Sequence, residues 1–444
     1  MIRGRLLTLN DEYQSQRDDK TPNAKNEENV VAVLNLSLVT LLVLLGLSLV
    51  APILPTYAES FQVSYTLVGF VVSSFAVTRM ILDMPAGLLS RRYDKKRIMI
   101  IGLVLLSTSS VVAGLATSYI TLVIARMIEG AGSALYVTTA TVFLAQISGE
   151  EKRGQWMSLY MGMLLLGAIF GPTFGGVLAD LYDIRAPFFA YAIITGLAVI
   201  PTLALPKMSN SGNLSNPLDL NEITKDIREV LSNPSFLLVT FAVFTMFLLR
   251  TGVRSTLVPL FAANNLGFSS GDIGFVLTIG GITTALTMVP MGSVSDKIGR
   301  KIPLALCLVL TAAIILLIPS TVDLLTISVV IGVYGAVIGL SGPSAAYVTD
   351  VSPQDKLEIS MGLYRTISDL GFVVGPLLLG FLADITATPV EGASHSGLIG
   401  FVPFMVASII LIFAFFALLK AKDPIKDRIH SSNHMSQKSQ APLE

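Results

Sequence analysis

Long apolar runs alternate with short polar stretches along nearly the whole chain. Twelve runs reach or approach the length of about 20 residues that a helix needs to cross a bilayer. They fall at 31–54, 65–89, 97–116, 119–146, 155–180, 187–206, 236–262, 271–294, 302–319, 322–349, 360–384 and 397–420. Two regions break the alternation. Residues 1–30 are polar and of mixed charge, and read as a solvated tail. Residues 207–235 are polar too, but Leu220, Ile223, Ile227 and Leu231 recur at helical spacing between charges, which predicts a short amphipathic helix along the membrane face. The expected organisation is therefore a tail (1–30), six spans (31–206), a linker (207–235), six spans (236–420) and a second tail (421–444).

The basic residues set the expected orientation. Of the 30 lysines and arginines, 24 lie in the tails and even-numbered loops, and only Arg185 lies on the opposite side. The remaining five are inside the apolar runs. Cytoplasmic loops carry the excess of Lys and Arg, so both termini are expected in the cytoplasm of a multi-pass cell-membrane protein. A miscounted span would have scrambled this alternation.

The two sets of six are related in sequence. At an offset of 204–205 residues, Pro85 and Gly87 match Pro290 and Gly292. Likewise Gly167, Gly171, Pro172, Gly176, Leu178, Ala179 and Asp180 match Gly371, Gly375, Pro376, Gly380, Leu382, Ala383 and Asp384. An even number of spans per repeat preserves orientation, so the repeats are parallel. They imply a pseudo-two-fold axis along the membrane normal and a site between the halves. The expected fold is all-α: twelve transmembrane helices in two pseudo-symmetric six-helix bundles.

Composition narrows the function. Charged residues make up 14% of the chain, against roughly 25% in soluble proteins. The net charge is zero, which gives no electrostatic case for a nucleic-acid partner. The single cysteine, Cys307, excludes an intrachain disulfide, and the three histidines (His395, His430, His434) all lie outside the spans. No metal or cofactor is expected. No Gly-x-x-x-x-Gly-Lys-Ser/Thr phosphate loop exists to power an ATP-driven pump, and no soluble domain is present to host an enzyme.

Local motifs sharpen this picture. The stretch Gly292-Ser-Val-Ser-Asp296-Lys-Ile-Gly299-Arg300-Lys301 resembles the cytoplasmic loop signature of the major facilitator superfamily. The resemblance covers essentially 31–420 and implies the two-bundle fold and a gating role for Gly87, Gly292, Asp296, Gly299 and Arg300. The first copy departs from the signature, with Arg91 where the aspartate is expected and Asp94 where the glycine is expected; Asp94 is then the candidate for the acidic role. In the fourth span, Arg126-Met-Ile-Glu129-Gly130 is similar to the superfamily's Arg-x-x-Gln-Gly signature, whose arginine is implicated in proton coupling, with glutamate replacing glutamine. In the fifth span, Gly167, Gly171, Pro172, Gly175 and Gly176 resemble the antiporter signature of drug–proton exporters. Glycines on one face remove bulk and the proline bends the helix.

Ionisable residues at membrane depth cost a few kcal/mol and are functional candidates by default. Arg79 and Asp83 are four apart, Arg126 and Glu129 three, Arg365 and Asp369 four, so each pair shares a helical face and can neutralise itself. Arg250 and Arg254 share a face without a local acid, and Arg254 lies close enough to the far boundary to snorkel. The repeat does not duplicate these charges: Thr284 and Met288 correspond to Arg79 and Asp83, and Met161 and Leu165 to Arg365 and Asp369. Shared residues read as scaffold and unshared charges as specific function. With no histidine in the bundle, proton coupling needs a carboxylate. The candidates are Asp83, Glu129 and Asp369, with Arg126; the cavity candidates are Arg79, Arg250, Arg254 and Arg365.

The expected function is a proton-coupled exporter of small organic molecules, a monomer by default, with protons (or another cation) and the bilayer as its other partners. Import or exchange of an anionic metabolite, suggested by Arg250 and Arg254, and a transporter-like receptor are the alternatives.

Overall fold

A computed structural model of the chain describes residues 22–148, 153–206, 220–388 and 397–423. The tails expected at 1–30 and 421–444 lie largely outside these residues, as does 207–219 of the linker. The described residues hold twelve helices long and apolar enough to cross a membrane. They are α1 (Pro22–Leu49), α2 (Tyr65–Arg92), α3 (Lys95–Gly114), α4 (Tyr119–Ile147), α5 (Arg153–Leu181), α6 (Ala186–Leu203), α7 (Pro234–Asn264), α8 (Ser270–Ile298), α9 (Lys301–Ile315), α10 (Leu324–Val351), α11 (Leu357–Thr386) and α12 (Val402–Leu419). An even number of crossings leaves the start of α1 and the end of α12 on one face, called here the tail side.

Start signals are local. Ser64, Asp94, Ser118, Asn233, Ser269 and Asp323 each accept a backbone N–H in the first turn of the helix that follows. The amphipathic helix expected in the linker is present at Leu220–Leu231; Lys356, just before α11, bridges its Asp226 (3.3 Å) and Glu229.

Several spans are not simple rods. α1 ends at Leu49, makes a turn, and resumes as a short helix at Leu54–Glu59. α10 pauses between Gly339 and Ser344, where Gly342 and Pro343 interrupt it. α7 widens into a π-helix over Arg250–Leu257, with Thr256 Oγ1 donating to the Thr251 carbonyl at 3.1 Å. The break in α1 and the π turn in α7 lie at matching places of the two repeats.

Within lipid the apolar surface of a helix has little drive to leave the solvent, so packing rests on small residues and polar contacts. Both bundles show this at the same places. Gly167 and Gly171 of α5 lie against the α1 backbone at Leu41–Ser48, and Gly371 and Gly375 of α11 lie against α7 at Phe244–Leu248. Two seams join the bundles, α2 with α11 and α5 with α8. Gly69 abuts Pro376 and Gly274 abuts Pro172; Gly380 abuts Tyr65 and Gly176 abuts Ser270. A single methyl at any of these four would collide with backbone across the seam. All of them lie in the half of the molecule away from the tails. Near the tail side, a methyl at Gly154, Gly162, Gly292 or Gly362 would meet nothing within 4 Å. The bundles are therefore pressed together at the far face and parted towards the tail side.

Candidate functional site

Polar contacts seal the far face and follow the repeat. Asp384 accepts the N–H groups of Tyr65 (2.6 Å) and Thr66 (2.8 Å) at the start of α2. Asp180 accepts those of Ser270 (3.0 Å) and Gly271 (2.8 Å) at the start of α8. Each carboxylate thus caps a helix of the opposite bundle, where the first-turn N–H groups lack partners and the helix dipole favours negative charge. A second layer lies deeper. Ser73 donates to the Val373 carbonyl at 2.7 Å, and Thr278, its counterpart, to the Ile169 carbonyl at 3.0 Å. Thr278 also accepts from the Thr173 N–H (3.2 Å), so its hydroxyl inserts into the α5 ladder next to Pro172. The sequence pairs Asp180 with Asp384 by repeat but gives no sign that each reaches the other bundle. Outside the seams, Asn264 joins Glu59 (2.8 Å) to the Tyr65 hydroxyl (3.0 Å).

Beneath this seal is a central cavity of about 280 Å³. The broken stretch of α1 lines it with Leu47, Ser48, Val50, Ala51 and Leu54, and the π turn of α7 with Arg250, Thr251, Arg254 and Ser255. Arg79, Arg126, Phe75, Pro172, Asp369 and Phe372 complete most of the wall. Four arginines thus face one carboxylate across a largely apolar space.

The expected charge pairs are only partly realised. Arg126 and Glu129 are buried and paired at 2.5 Å, with the Arg126 guanidinium 4.9 Å from the centre of the Phe75 ring. Arg79 approaches Asp83 at 3.8 Å. Arg365, however, reaches Asp83 at 3.5 Å across the α2–α11 seam, and Thr138 donates to the same carboxylate at 2.9 Å. The local Arg365–Asp369 pair is not among the ion pairs of the described residues; the arginine satisfies the neighbouring helix instead. Asp369 stays at the cavity wall, half-buried. Arg254 does not snorkel to the far boundary. Because α7 continues to Asn264, its guanidinium lies in the cavity wall and donates to the Leu277 carbonyl at 2.9 Å.

The tail-side loop signature is assembled differently in the two halves. Arg300 pairs with Asp296 at 2.5 Å and with Asp350 of α10 at 3.2 Å, and donates to Ser295. Gly299 has φ +93°, and the Asp423 carboxylate fills the space where a side chain would stand, accepting the Lys301 N–H at 3.0 Å. In the first half, Asp94 holds the position of Gly299 and caps α3 itself, accepting the Lys96 N–H at 3.1 Å, with Arg97 at 3.9 Å. Asp94 thus meets Arg97 at the start of α3, where Asp296 meets Arg300 from the end of α8. A methyl at Gly87 would stand 3.8 Å from the Thr138 side chain, and one at Gly292 would meet nothing within 4 Å. Lys96 and Lys301 play matching parts, donating to the ends of α6 and α12 at Leu203 and Leu419.

The signature of the Major Facilitator Superfamily matches residues 36–261 and again 239–438. The chain belongs to the major facilitator superfamily. An uncharacterised MFS-type transporter of Methanocaldococcus jannaschii is 27% identical, over 81% of this chain and 92% of its own length. Multidrug resistance protein 2 of Bacillus subtilis is 26% identical, over 81% of this chain and 90% of its own. In fold, the chain superposes with a TM-score of 0.72 on a bacterial homologue of the human lysosomal transporter Spinster in an inward-facing, unoccupied conformation, at 16% identity over 90% of this chain and 98% of that one. This superfamily member is a multi-pass membrane transporter and not an enzyme.

Proposed function

We propose that the chain exports small organic, drug-like molecules from the cytoplasm in exchange for protons, by alternating access of the central cavity. The units we assign are the bundles 31–206 and 236–420, joined by 207–235 and flanked by tails in the cytoplasm of a cell-membrane protein. The excess of Lys and Arg on the tail side supports that orientation. In this reading the cavity described above lies on the cytoplasmic side of a sealed outer face.

The carrying observation is the shared carboxylate Asp83. It lies 3.8 Å from Arg79 of its own bundle, which lines the cavity, and 3.5 Å from Arg365 of the other. Charged, Asp83 ties α2 to α11 on the tail-side half of the seam. A proton on it removes the charge that holds Arg365, which loosens that tie. Proton occupancy and the relation between bundles are then linked states of one element. Arg126 and Glu129 form a second buried acid–base pair beside the cavity that can share this task. Export rather than import is supported by the multidrug resistance relative.

The test is accumulation of a broad panel of dyes and drugs in cells expressing the chain, with and without an uncoupler. Export predicts low accumulation that rises when the proton gradient collapses, and the Asp83→Asn protein should not respond to the gradient. Accumulation unchanged under both conditions for every compound counts against the proposal.

A further inference from the structure

The π turn of α7 presents an unusual arrangement. A π-helix is a rare local form, found mostly as single turns and frequently at functional sites. Here it spans Arg250–Leu257 and carries both arginines of the helix into the cavity. It is held by Gly252, where a methyl would stand 2.8 Å from the Gly375 backbone.

The two guanidiniums differ from the other cavity arginines. Arg79 and Arg126 each have a carboxylate on the next turn, Asp83 and Glu129. Among the described residues, Arg250 and Arg254 have no ion-pair partner, and Arg254 reaches only the Leu277 carbonyl. Two like charges four residues apart on one cavity wall, Arg250 exposed to the cavity and Arg254 partly so, repel each other and attract a counter-charge. A planar guanidinium presents paired donors that match a carboxylate, sulfonate or phosphate. The same cavity is lined by Val72, Phe75, Leu277 and Phe372, an apolar and aromatic surface.

We infer that the central cavity takes an organic anion with an apolar, preferably aromatic, body, its charged group held between Arg250 and Arg254. The transport direction rests on the exporter reading above; the charge preference does not. The bound anion supplies the missing counter-charge, and its apolar body fills the space between the α1 break and Phe372.

The experiment uses the full chain in detergent for binding and in proteoliposomes for transport. The probes are radiolabelled naphthalene-2-sulfonate, its neutral analogue naphthalene-2-sulfonamide, and tetraphenylphosphonium as an apolar cation. The sulfonate should bind at least about tenfold more tightly than the sulfonamide, a difference of about 1.4 kcal/mol. Arg250→Gln and Arg254→Gln should each abolish most of that preference. Arg250→Lys, which retains the charge, should keep a measurable part, and thermal unfolding would show that all variants are folded. Equal binding of sulfonate and sulfonamide, or a preference untouched by both glutamine variants, overturns the inference. So does proton exchange with tetraphenylphosphonium alone, which leaves the exporter reading standing. Arginine-dependent sulfonate binding with no accompanying proton movement supports the anion site and refutes proton-coupled export.

Discussion

At the far end of the α5–α8 seam, Asp180 accepts the N–H groups of Ser270 and Gly271; at the far end of α2–α11, Asp384 accepts those of Tyr65 and Thr66. One layer in, Thr278 and Ser73 bridge to opposing carbonyls at corresponding positions. Towards the tail side the likeness stops. The α2–α11 seam carries Arg79, Asp83, Arg365 and Asp369, whereas α5–α8 has Thr284, Met288, Met161 and Leu165. The two seams share what a rocking joint needs, namely close backbones and a latch. At these tail-side positions only one carries ionisable groups, so the joint is duplicated and, as we propose, its proton control is not.

The strongest test of the shared plan is steric. Gly176→Val and Gly380→Val should each abolish transport in proteoliposomes and destabilise the protein by about 1–3 kcal/mol, as overpacking does. Thermal unfolding in detergent measures the second effect. A large loss from one and none from the other would break the equivalence of the seams.

The asymmetry comes next. Asp83→Asn should reduce proton-driven exchange by at least about tenfold, or 1.4 kcal/mol. Met288→Leu, at the matching place on the other seam, should leave it within about twofold. Proton movement after a pH jump in proteoliposomes distinguishes them, and equal effects would end the claim that one seam alone controls coupling.

The latches should matter less, and equally. Asp180→Asn and Asp384→Asn each weaken charge-assisted hydrogen bonds, costing the sealed far face about 1 kcal/mol. That is about a fivefold shift in the ratio of conformations. Labelling of Gly362→Cys in a Cys307→Ser background by a membrane-impermeant maleimide applied from the tail side should fall by a similar factor in both variants.

The smallest effect lies at paired caps off the seams. Ser118 caps α4 and Asp323 caps α10 at corresponding positions, through the N–H groups of Thr121 and Thr326. The Thr326 N–H and hydroxyl hold the Asp323 carboxyl below its usual value. A carboxyl whose pKa is depressed by folding adds stability at neutral pH, and that stability is lost as the pH falls below about 4 towards the folded value. Asp323→Asn should therefore flatten the acid limb of thermal stability slightly, while Ser118→Ala should lower stability with no change in its pH dependence.

Twelve spans, their parallel repeat and the identity of the buried charges were legible in the chain itself. In lipid a spanning segment must satisfy its own backbone, so length and apolarity suffice to place it. The repeated glycines, such as Gly171 and Gly375, could be read as scaffold because close helix approach demands the same small residue wherever it recurs. The partners of the charges could not be read so. Local spacing pairs Arg365 with Asp369, yet Arg365 turns to Asp83 of the other bundle. The break in α1 and the π turn in α7 went unread although both were marked, the first by Pro52 and Pro55, the second by Gly252 between Arg250 and Arg254, because twelve spans can be placed without resolving breaks inside them.

Sequence alone thus determined how often the chain crosses the membrane, that it does so twice over, and which charges it places at depth. Tertiary structure decided which carboxylate each arginine meets, that Asp180 and Asp384 each close the opposite bundle, and that Arg250 and Arg254 face a shared cavity. The division has a physical cause. Crossing a bilayer is settled within each helix by its own hydrogen bonds, whereas the pairing of buried charges depends on which helix faces are brought together across the seams.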